Sequence, residues 1–422
     1  MVEETNTNFS FVFNLNKRCL YESSGHLFYE SFFCIFIVYP RLMNRYFYIL
    51  LFCISNLVNT GFAQKSKLPL KDSIVQFIFT SDVHFGLTKN SFRGKSNISA
   101  LEVNKAMVKS MNQLKGQFIP NDNGVYANQV IKGLDALVIT GDIANRMEDG
   151  IQSATKSWEE FKIAFLDSLY ITQSNNIKSN LFLVPGNHDM SNAIGFHRPM
   201  APKKDAASML GIYNLMFPEK QVKEFDSSLN RVHYAKDING VHFIFLSLYP
   251  DSAERVWMEK DLSKINNTTP VLLFAHSIPN VEPRFFENPN GIHDINEEDK
   301  FENLVPERYK DGKDVKGTTT IEQNEFAEFI KKHSNIKVYF HGHENFTEYY
   351  TYNGPNKDIQ LNCIRTDSPM KGRFSAKDET KLAFELVTIN TNTKKLTVRE
   401  VLWNKPSTIT TFTWGQTVTI SL

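Results

Sequence analysis

The 422-residue chain has only four cysteines, and no two of them form a Cys-x-x-Cys pair. That excludes a thiolate zinc site of the usual spacing, so any metal must be held by His, Asp and Asn. Charge of one sign is also scarce. The 47 Lys and Arg nearly cancel 46 Asp and Glu, for a formal net charge of +1. No large polyanion-binding surface is expected from that balance. Fixed-period repeats, low-complexity tracts and a linker of distinct composition are all lacking. With 41% hydrophobic and 22% charged residues, the chain should bury a globular core rather than stay disordered.

The N-terminal region carries a leader pattern displaced from the start. Met43-Asn44-Arg45 is short and basic, residues 46–58 are apolar, and Gly61-Phe62-Ala63 places small residues before Gln64. This predicts a secretory signal peptide over residues 43–63, cut after Ala63. The run is short for a membrane span and is interrupted by Asn56, so no stable membrane anchor is expected. Residues 1–42 then read as an extension produced by a start placed too early, with Met43 the true one. An uncleaved anchor is the alternative, supported by a second apolar patch at residues 32–39. After cleavage only Cys363 remains, so no internal disulfide can form. Cys53 follows Leu51-Phe52, a poor lipid-attachment context. The expected location is periplasmic or extracellular.

What the sequence has in abundance is apolar runs that stop at polar residues. Residues 181–184 run into Pro185-Gly186 and then Asn187, His188 and Asp189. Residues 74–81 end in Asp82-Val83-His84, and residues 135–140 in Gly141-Asp142. Residues 271–274 end near His276, and residues 336–340 in His341-Gly342-His343. Short apolar runs closed by turn residues read as buried strands. Strands that each deliver a carboxylate, imidazole or amide at one end build a metal site at a sheet's rim.

Asp82 and His84, two apart, can face one cation, and Asp142 can bridge two with its two oxygens. Asn187 offers an amide oxygen, and His276 and His343 offer imidazoles. Such mixed N/O donors favour Mn, Fe or Zn, as two divalent or trivalent ions, over Mg or Ca. Two ions about 3.5–4 Å apart would clamp a phosphate and activate a water for in-line attack. His188, beside a ligand, suits the proton donor to the leaving group. Arg146 can hold a phosphate oxygen through its fork.

Asp-x-His, Gly-Asp-x-x-Asn-Arg, Gly-Asn-His-Asp, a lone His after an apolar strand and Gly-His occur here in order between Asp82 and His343. The set resembles that of the calcineurin-like metallophosphoesterases. The resemblance implies an α/β fold, a four-layer α/β/β/α sandwich of two mixed β-sheets flanked by helices. It implies a di-metal centre, with Asp82, His84 and Asp142 on one ion and Asp142, Asn187, His276 and His343 on the other. It also gives His188 the leaving-group role. The sequence departs from the pattern at Asn345, where many relatives have a His on the first metal. As in related protein phosphatases, that His is missing; Asn345 either binds through its amide oxygen or leaves the position to water. A register with His341 and His343 as the ligand pair ranks second. Asn145 stands where protein phosphatases have an Asp supporting the acid His, while Arg146 matches their phosphate-contacting Arg.

Elsewhere the pattern predicts ordinary structure. Ser99-x-x-Glu102 starts a helix burying Val103, Met107, Met111 and Leu114, and Trp158, Phe161, Phe165 and Leu169 share another helical face. Residues 231–247 read as a hairpin turning at 237–240, Trp257, Met258 and Leu262 as a short helix, and Thr320 as the cap of a helix burying Phe326, Phe329 and Ile330. Residues 346–422 form a strand-rich tail, with strands at 382–389, 396–402 and 408–413, completing one phosphoesterase domain over residues 72–422. Two long polar stretches, 190–230 and 277–319, read as loops bordering the site. Asp189 reads as a partner orienting a ligand. His197, Arg198, Lys203 and Lys204 read as a solvated loop, and His233, His242, His293 and His333 as structural or surface residues. The stretch Asp367-Ser-Pro-Met-Lys-Gly372 reads as a turn with no assigned role.

The function these observations favour is an exported metal-dependent phosphohydrolase. It would cleave a phosphomonoester or phosphodiester of a small phosphorylated substrate, with no nucleic-acid partner. The alternatives are a binding protein on a decayed phosphoesterase scaffold and a nuclease of the same superfamily.

Overall fold

The computed structural model describes residues 73–144, 152–190, 206–226, 229–280, 309–310, 313–314, 318–404 and 412–422. These fall within one compact unit, Leu68–Leu422. The leader, the preceding extension, Asn145, Arg146, the basic cluster from His197 to Lys204, and His293 lie outside the described residues.

In chain order, β1 (Ile74–Thr80) is followed by a hairpin of β2 (Thr88–Phe92) and β3 (Lys95–Ser99), then α1 (Ala100–Met111) and β4 (Ala136–Thr140). Next come α2 (Ala154–Phe161), β5 (Asn180–Val184), the single turn α3 (Asn187–Met190) and α4 (Ala207–Met216). β6 (Tyr234–Ile238), β7 (Val241–Phe245), α5 (Ser252–Leu262), β8 (Val271–Phe274), and the two-residue strands β9 (Tyr309–Lys310) and β10 (Lys313–Asp314) lead to α6 (Thr318–Lys332). The chain ends with β11 (Ile336–His341), β12 (Glu348–Tyr352), β13 (Leu361–Arg365), β14 (Ala383–Asn390), β15 (Lys395–Leu402) and β16 (Thr413–Ser421).

Two six-stranded mixed sheets result, ordered β16-β15-β14-β1-β4-β5 and β12-β13-β11-β8-β7-β6. In the first, β1, β4 and β5 are parallel neighbours. In the second, β7, β8, β11 and β13 are parallel neighbours. Parallel strands buried on both faces need continuous apolar runs, which is why β4 (ALVIT), β7 (VHFIF) and β8 (VLLF) are buried throughout.

The sheets meet across an aromatic layer. Phe77 and Phe79 on β1 pack edge-on against Phe243, Phe274 and Phe340 of the second sheet, with ring centroids 5.1–6.4 Å apart. Phe274 stacks on Phe340 at 4.7 Å and on Phe245 at 5.0 Å. Helices cover the outward faces. Met107 of α1 lies against Thr80, and Asn104 of α1 donates to the carbonyl of Val83. Met258 of α5 and Phe326 and Ile330 of α6 pack with Ile244, Leu273 and Tyr339 of the second sheet.

The expected helices and hairpin are present, with differences. Ser99 caps α1 through its hydroxyl to the amide of Glu102. α2 gives way to a π-helical turn at Lys162–Leu166, so Phe161 and Phe165 still stack at 5.1 Å. The β6–β7 turn places Asn239 and Gly240 at φ 48° and 87°, as a two-residue hairpin turn demands.

Other expectations are corrected. The stretch 190–230 contains α4, whose Met209, Ile212 and Tyr213 are buried at helical spacing and whose Gly211 lies against the Trp158 ring. α6 begins at Thr318, so Thr320 lies inside the helix rather than capping it. The last described strand is Thr413–Ser421, and residues 408–411 of the strand expected at 408–413 lie outside the described residues. Its polar composition suits the edge it occupies, with Ile420 buried and most neighbours exposed or half-buried. The hairpin β2–β3 was not expected at all. Among the described residues no helix is long and apolar enough to cross a membrane.

Phe274 touches five other phenyl rings across the two sheets. Phe274→Ala is expected to cost about 3–5 kcal/mol through lost burial and a residual cavity. A lowered urea midpoint with an unchanged m-value checks this.

Candidate metal centre

The parallel strands of both sheets end at one rim. After β1 and β4 the chain does not separate. The amide of Asp82 donates to Gly141 O at 3.1 Å, that of His84 to Asp142 O at 2.9 Å, and that of Phe85 to Ile143 O at 2.8 Å. Two turning loops thus run side by side. Asp82 (φ 54°), His84 (φ 43°), Asp142 (φ 50°), His343 (φ 72°) and Asn345 (φ 59°) are all in the left-handed region, which side-chain-bearing residues seldom adopt. Such strain, held in place by surrounding structure, concentrates at functional sites. At Gly342 the second sheet comes so close to the first that a Cβ would fall 1.9 Å from Ser81 Oγ and 2.1 Å from Asp82 Oδ2. Only glycine fits there.

Asp142 occupies the middle. Its Oδ1 accepts the amide of His188 at 2.9 Å and lies 3.4 Å from His276 Nε2. Its Oδ2 faces the other way, 3.5 Å from His84 Nε2 and 3.9 Å from His188 Nε2. Burial pushes this carboxyl up, but the charges of His276 and His188 outweigh it and hold the group well below the ordinary carboxylate range.

On the Oδ1 side, Asn187 Oδ1 is 2.9 Å from His276 Nε2 and 3.2 Å from His343 Nδ1, and the two imidazole nitrogens are 3.3 Å apart. His276 is aimed by Nδ1, which donates to Thr140 O at 2.6 Å and leaves Nε2 for the centre. Burial pushes this imidazole down, and Asp142 pushes it up further, to about 9. On the Oδ2 side, His84 is fully buried, and its Nε2 is 3.7 Å from Asp82 Oδ1. Asp82 Oδ2 is tied to the amide of His343 at 2.9 Å. Burial pushes the Asp82 carboxyl up, but His84 and His276 bring it below its ordinary value.

Asp82, His84, Asp142, Asn187, His188, His276 and His343 therefore converge, as the strand-end pattern required. Among the described residues, two carboxylate–imidazole groupings have ligand atoms within 4.8 Å of one another: His84, Asp142 and His188, and Asp82, Asp142 and His276. Asp82 is grouped with His276 here, its Oδ1 also lies 3.7 Å from His84 Nε2, and His188 reaches the Oδ2 side. Asn345 adjoins them: its Nδ2 donates to His343 O at 2.8 Å, while its Oδ1 is buried without a hydrogen-bond partner. Asp82 Oδ1 and both ring nitrogens of His84 are likewise buried without one. Such orphaned donor atoms are costly unless a cation or water satisfies them.

Asp189 behaves as an orienting residue. Its carboxylate accepts from the amides of Gly186, Ile143 and Ala144 at 2.9–3.1 Å, clamping the β4 and β5 loops together. Burial and the nearby Asp142 push it up to about 6, against the pull of those three amides. His233, His242 and His333 pair with Glu254, Asp237 and Asp261, and Glu259 away from the rim. Lys371 was missed. Its Nζ lies 3.4 Å from His188 Nε2, delivered by the loop after β13. It lies in the stretch 367–372, which reads in sequence as a turn with no assigned role.

His341 is not part of the cluster. It is buried, with Nδ1 on Gly342 O at 3.0 Å and Nε2 on the Tyr350 hydroxyl at 2.8 Å, so the His341–His343 register fails. Burial and the charge of Arg365 push this imidazole down to about 3 from 6.5. A depressed histidine contributes stability that is present above 6.5 and is lost as pH falls towards the folded value. Between pH 6.5 and 5, metal-stripped wild type is expected to lose about 2 kcal/mol more than His341→Gln. Urea titrations of both proteins at each pH check this; parallel losses refute it.

A family model described as calcineurin-like phosphoesterase matches residues 75–345. No curated protein matches. Among solved structures, purple acid phosphatase PPD1 from yellow lupin (Lupinus luteus) seeds is 13% identical with a TM-score of 0.43. That alignment covers 83% of this chain and 54% of the lupin protein, so the chain spans about half of that phosphatase's length. A single mutant of Vps29 from Entamoeba histolytica is 9% identical, with a TM-score of 0.28 and coverage of 82% and 99%. Vps29 from Chaetomium thermophilum is 7% identical, with a TM-score of 0.29 and coverage of 82% and 98%. The family model spans more than half of the chain and takes in all but one of the strand ends at the rim, so the chain belongs to the calcineurin-like phosphoesterase family.

Proposed function

We propose that this phosphoesterase is an exported di-metal hydrolase of a small phosphomonoester or phosphodiester. The observation that carries the reading is the division of the Asp142 carboxylate, one oxygen toward His276 and the other toward His84. On this reading Asp82, His84, Asp142 and Asn345 hold one ion, and Asp142, Asn187, His276 and His343 hold the other. The orphaned Asp82 Oδ1, His84 Nε2 and Asn345 Oδ1 support that fit. The mixed N/O donors favour Mn, Fe or Zn. When bound, such ions supply Lewis-acid stabilisation of phosphoryl oxygens and acidify water for attack.

The chain's own residues do the rest. Asp142 stays ionised and holds His188 through the latter's amide. His188 presents Nε2 at the Oδ2 side, where it donates a proton to the leaving oxygen. Arg146, outside the described residues, is assigned a phosphate oxygen on the family resemblance alone. Export rests on the signal pattern at residues 43–63, and the catalytic domain on this reading is residues 72–422.

Loaded with Mn, Zn or Fe, the protein is expected to hydrolyse p-nitrophenyl phosphate or its bis ester. His188→Ala should lower kcat on the order of 10²–10⁴-fold with metal content unchanged. Absence of turnover on both esters and on nucleotide substrates, with metal bound, would remove the reading. Intact mass of the secreted protein is expected to place its first residue at Gln64; a species beginning at Met1 would overturn the export assignment.

A further inference from the structure

The loop after β13 brings a cation to the rim. β13 runs parallel to β11, so its C-terminal end emerges beside those carrying His276 and His343. The loop is fastened to the same backbone that carries the candidate ligands. Ser368 Oγ donates to Asp82 O at 2.7 Å and accepts from the amide of Lys371 at 2.9 Å. Arg373 donates its amide to Asn345 O at 2.6 Å. From beneath, the buried Lys89 donates Nζ to Pro369 O at 2.9 Å. Lys371 is thereby set half-buried with Nζ 3.4 Å from His188 Nε2, and its charge reaches His84, whose ring lies edge-on to His188 at 4.9 Å.

Lys371 therefore presents an ammonium beside His188, on the side of the rim where Asp142 Oδ2 also lies. An anion of high charge density that enters this space gains from the nearby ammonium. A phosphomonoester carries between one and two negative charges at neutral pH, its second pKa being about 6. A phosphodiester carries one. The family match does not extend to Lys371, because it ends at residue 345.

Resting on the phosphohydrolase reading above, we propose that Lys371 is a substrate-binding residue that contacts the phosphoryl group on the His188 side and favours phosphomonoesters over phosphodiesters. The test compares metal-loaded full-length wild type, Lys371→Met and Lys371→Arg. Two readouts are used: calorimetric titration with inorganic phosphate, and kcat/KM on p-nitrophenyl phosphate and bis(p-nitrophenyl) phosphate. Lys371→Met is expected to weaken phosphate binding roughly tenfold, and to lower monoester kcat/KM roughly tenfold but diester kcat/KM less than about threefold. Lys371→Arg, which keeps the charge, should stay within about threefold of wild type for phosphate. Metal content should be equal in all three.

Unchanged phosphate affinity in Lys371→Met, equal losses on both esters, loss of metal, or a wild type that does not bind phosphate overturns the proposal. A wild type that binds phosphate through Lys371 yet hydrolyses neither ester leaves the lysine as an anion ligand and removes the phosphohydrolase reading instead.

Discussion

The constraint on which the rest of the structure depends is the burial of the Asp142 carboxylate. A desolvated carboxylate stays ionised only when positive or donor groups surround it. Here one amide and three imidazoles do so: the His188 N–H and the rings of His276, His188 and His84. No single loop could supply them. They come from the ends of β1, β5 and β8, so both sheets must end at one level, and close together. The approach at Gly342, where no side-chain carbon fits, marks how close that is.

The left-handed residues follow from the same demand. To turn a side chain inward at the rim, the backbone must leave its strand abruptly, and five candidate ligand positions do so with positive φ. Each such residue costs on the order of 1–3 kcal/mol. The cost is borne because the loops are fastened, β1's to β4's by main-chain bonds and β13's to Asn345 O by the Arg373 amide and to Asp82 O by the Ser368 hydroxyl, while the aromatic layer beneath holds the strands in register. Asp189 serves the same end: its two oxygens take three amides, joining loops that would otherwise splay.

Much of this was legible in the sequence because fully buried parallel strands leave an unmistakable trace, four or five apolar residues followed at once by polar ones. That trace found Asp82, His84, Asp142, Asn187, His188, His276 and His343. It left open, as a second-ranked register, His341 and His343 as a ligand pair. Their spacing of two puts both on one face of an ideal strand, but β11 ends at His341 and His343 has φ 72°, so the backbone turns between them. Lys371 escaped because β13 reads LNCIR: Asn362 and Arg365 break the apolar run, although the strand is mostly buried. α4 escaped because its apolar positions lie inside a long polar stretch, and β16 because an edge strand needs little hydrophobic alternation.

The fastening of the rim also bears on which side chains are available for chemistry. Main-chain bonds join the β1 and β4 loops. Where a side chain also holds backbone, as Asp82 Oδ2 holds the amide of His343 and Asp142 Oδ1 that of His188, its other polar atom is left to the cluster. Asn345 shows the distinction within one residue. Its Nδ2 is committed to His343 O, and its Oδ1 is left buried and uncommitted. His276 shows it across one ring, Nδ1 committed to Thr140 O and Nε2 turned to the cluster. One atom of each group fixes orientation so that the other can be presented desolvated. A rim that shows this pairing in an imidazole and an amide, around a carboxylate already divided between two sides, is arranged for a ligand that takes several electron pairs at once.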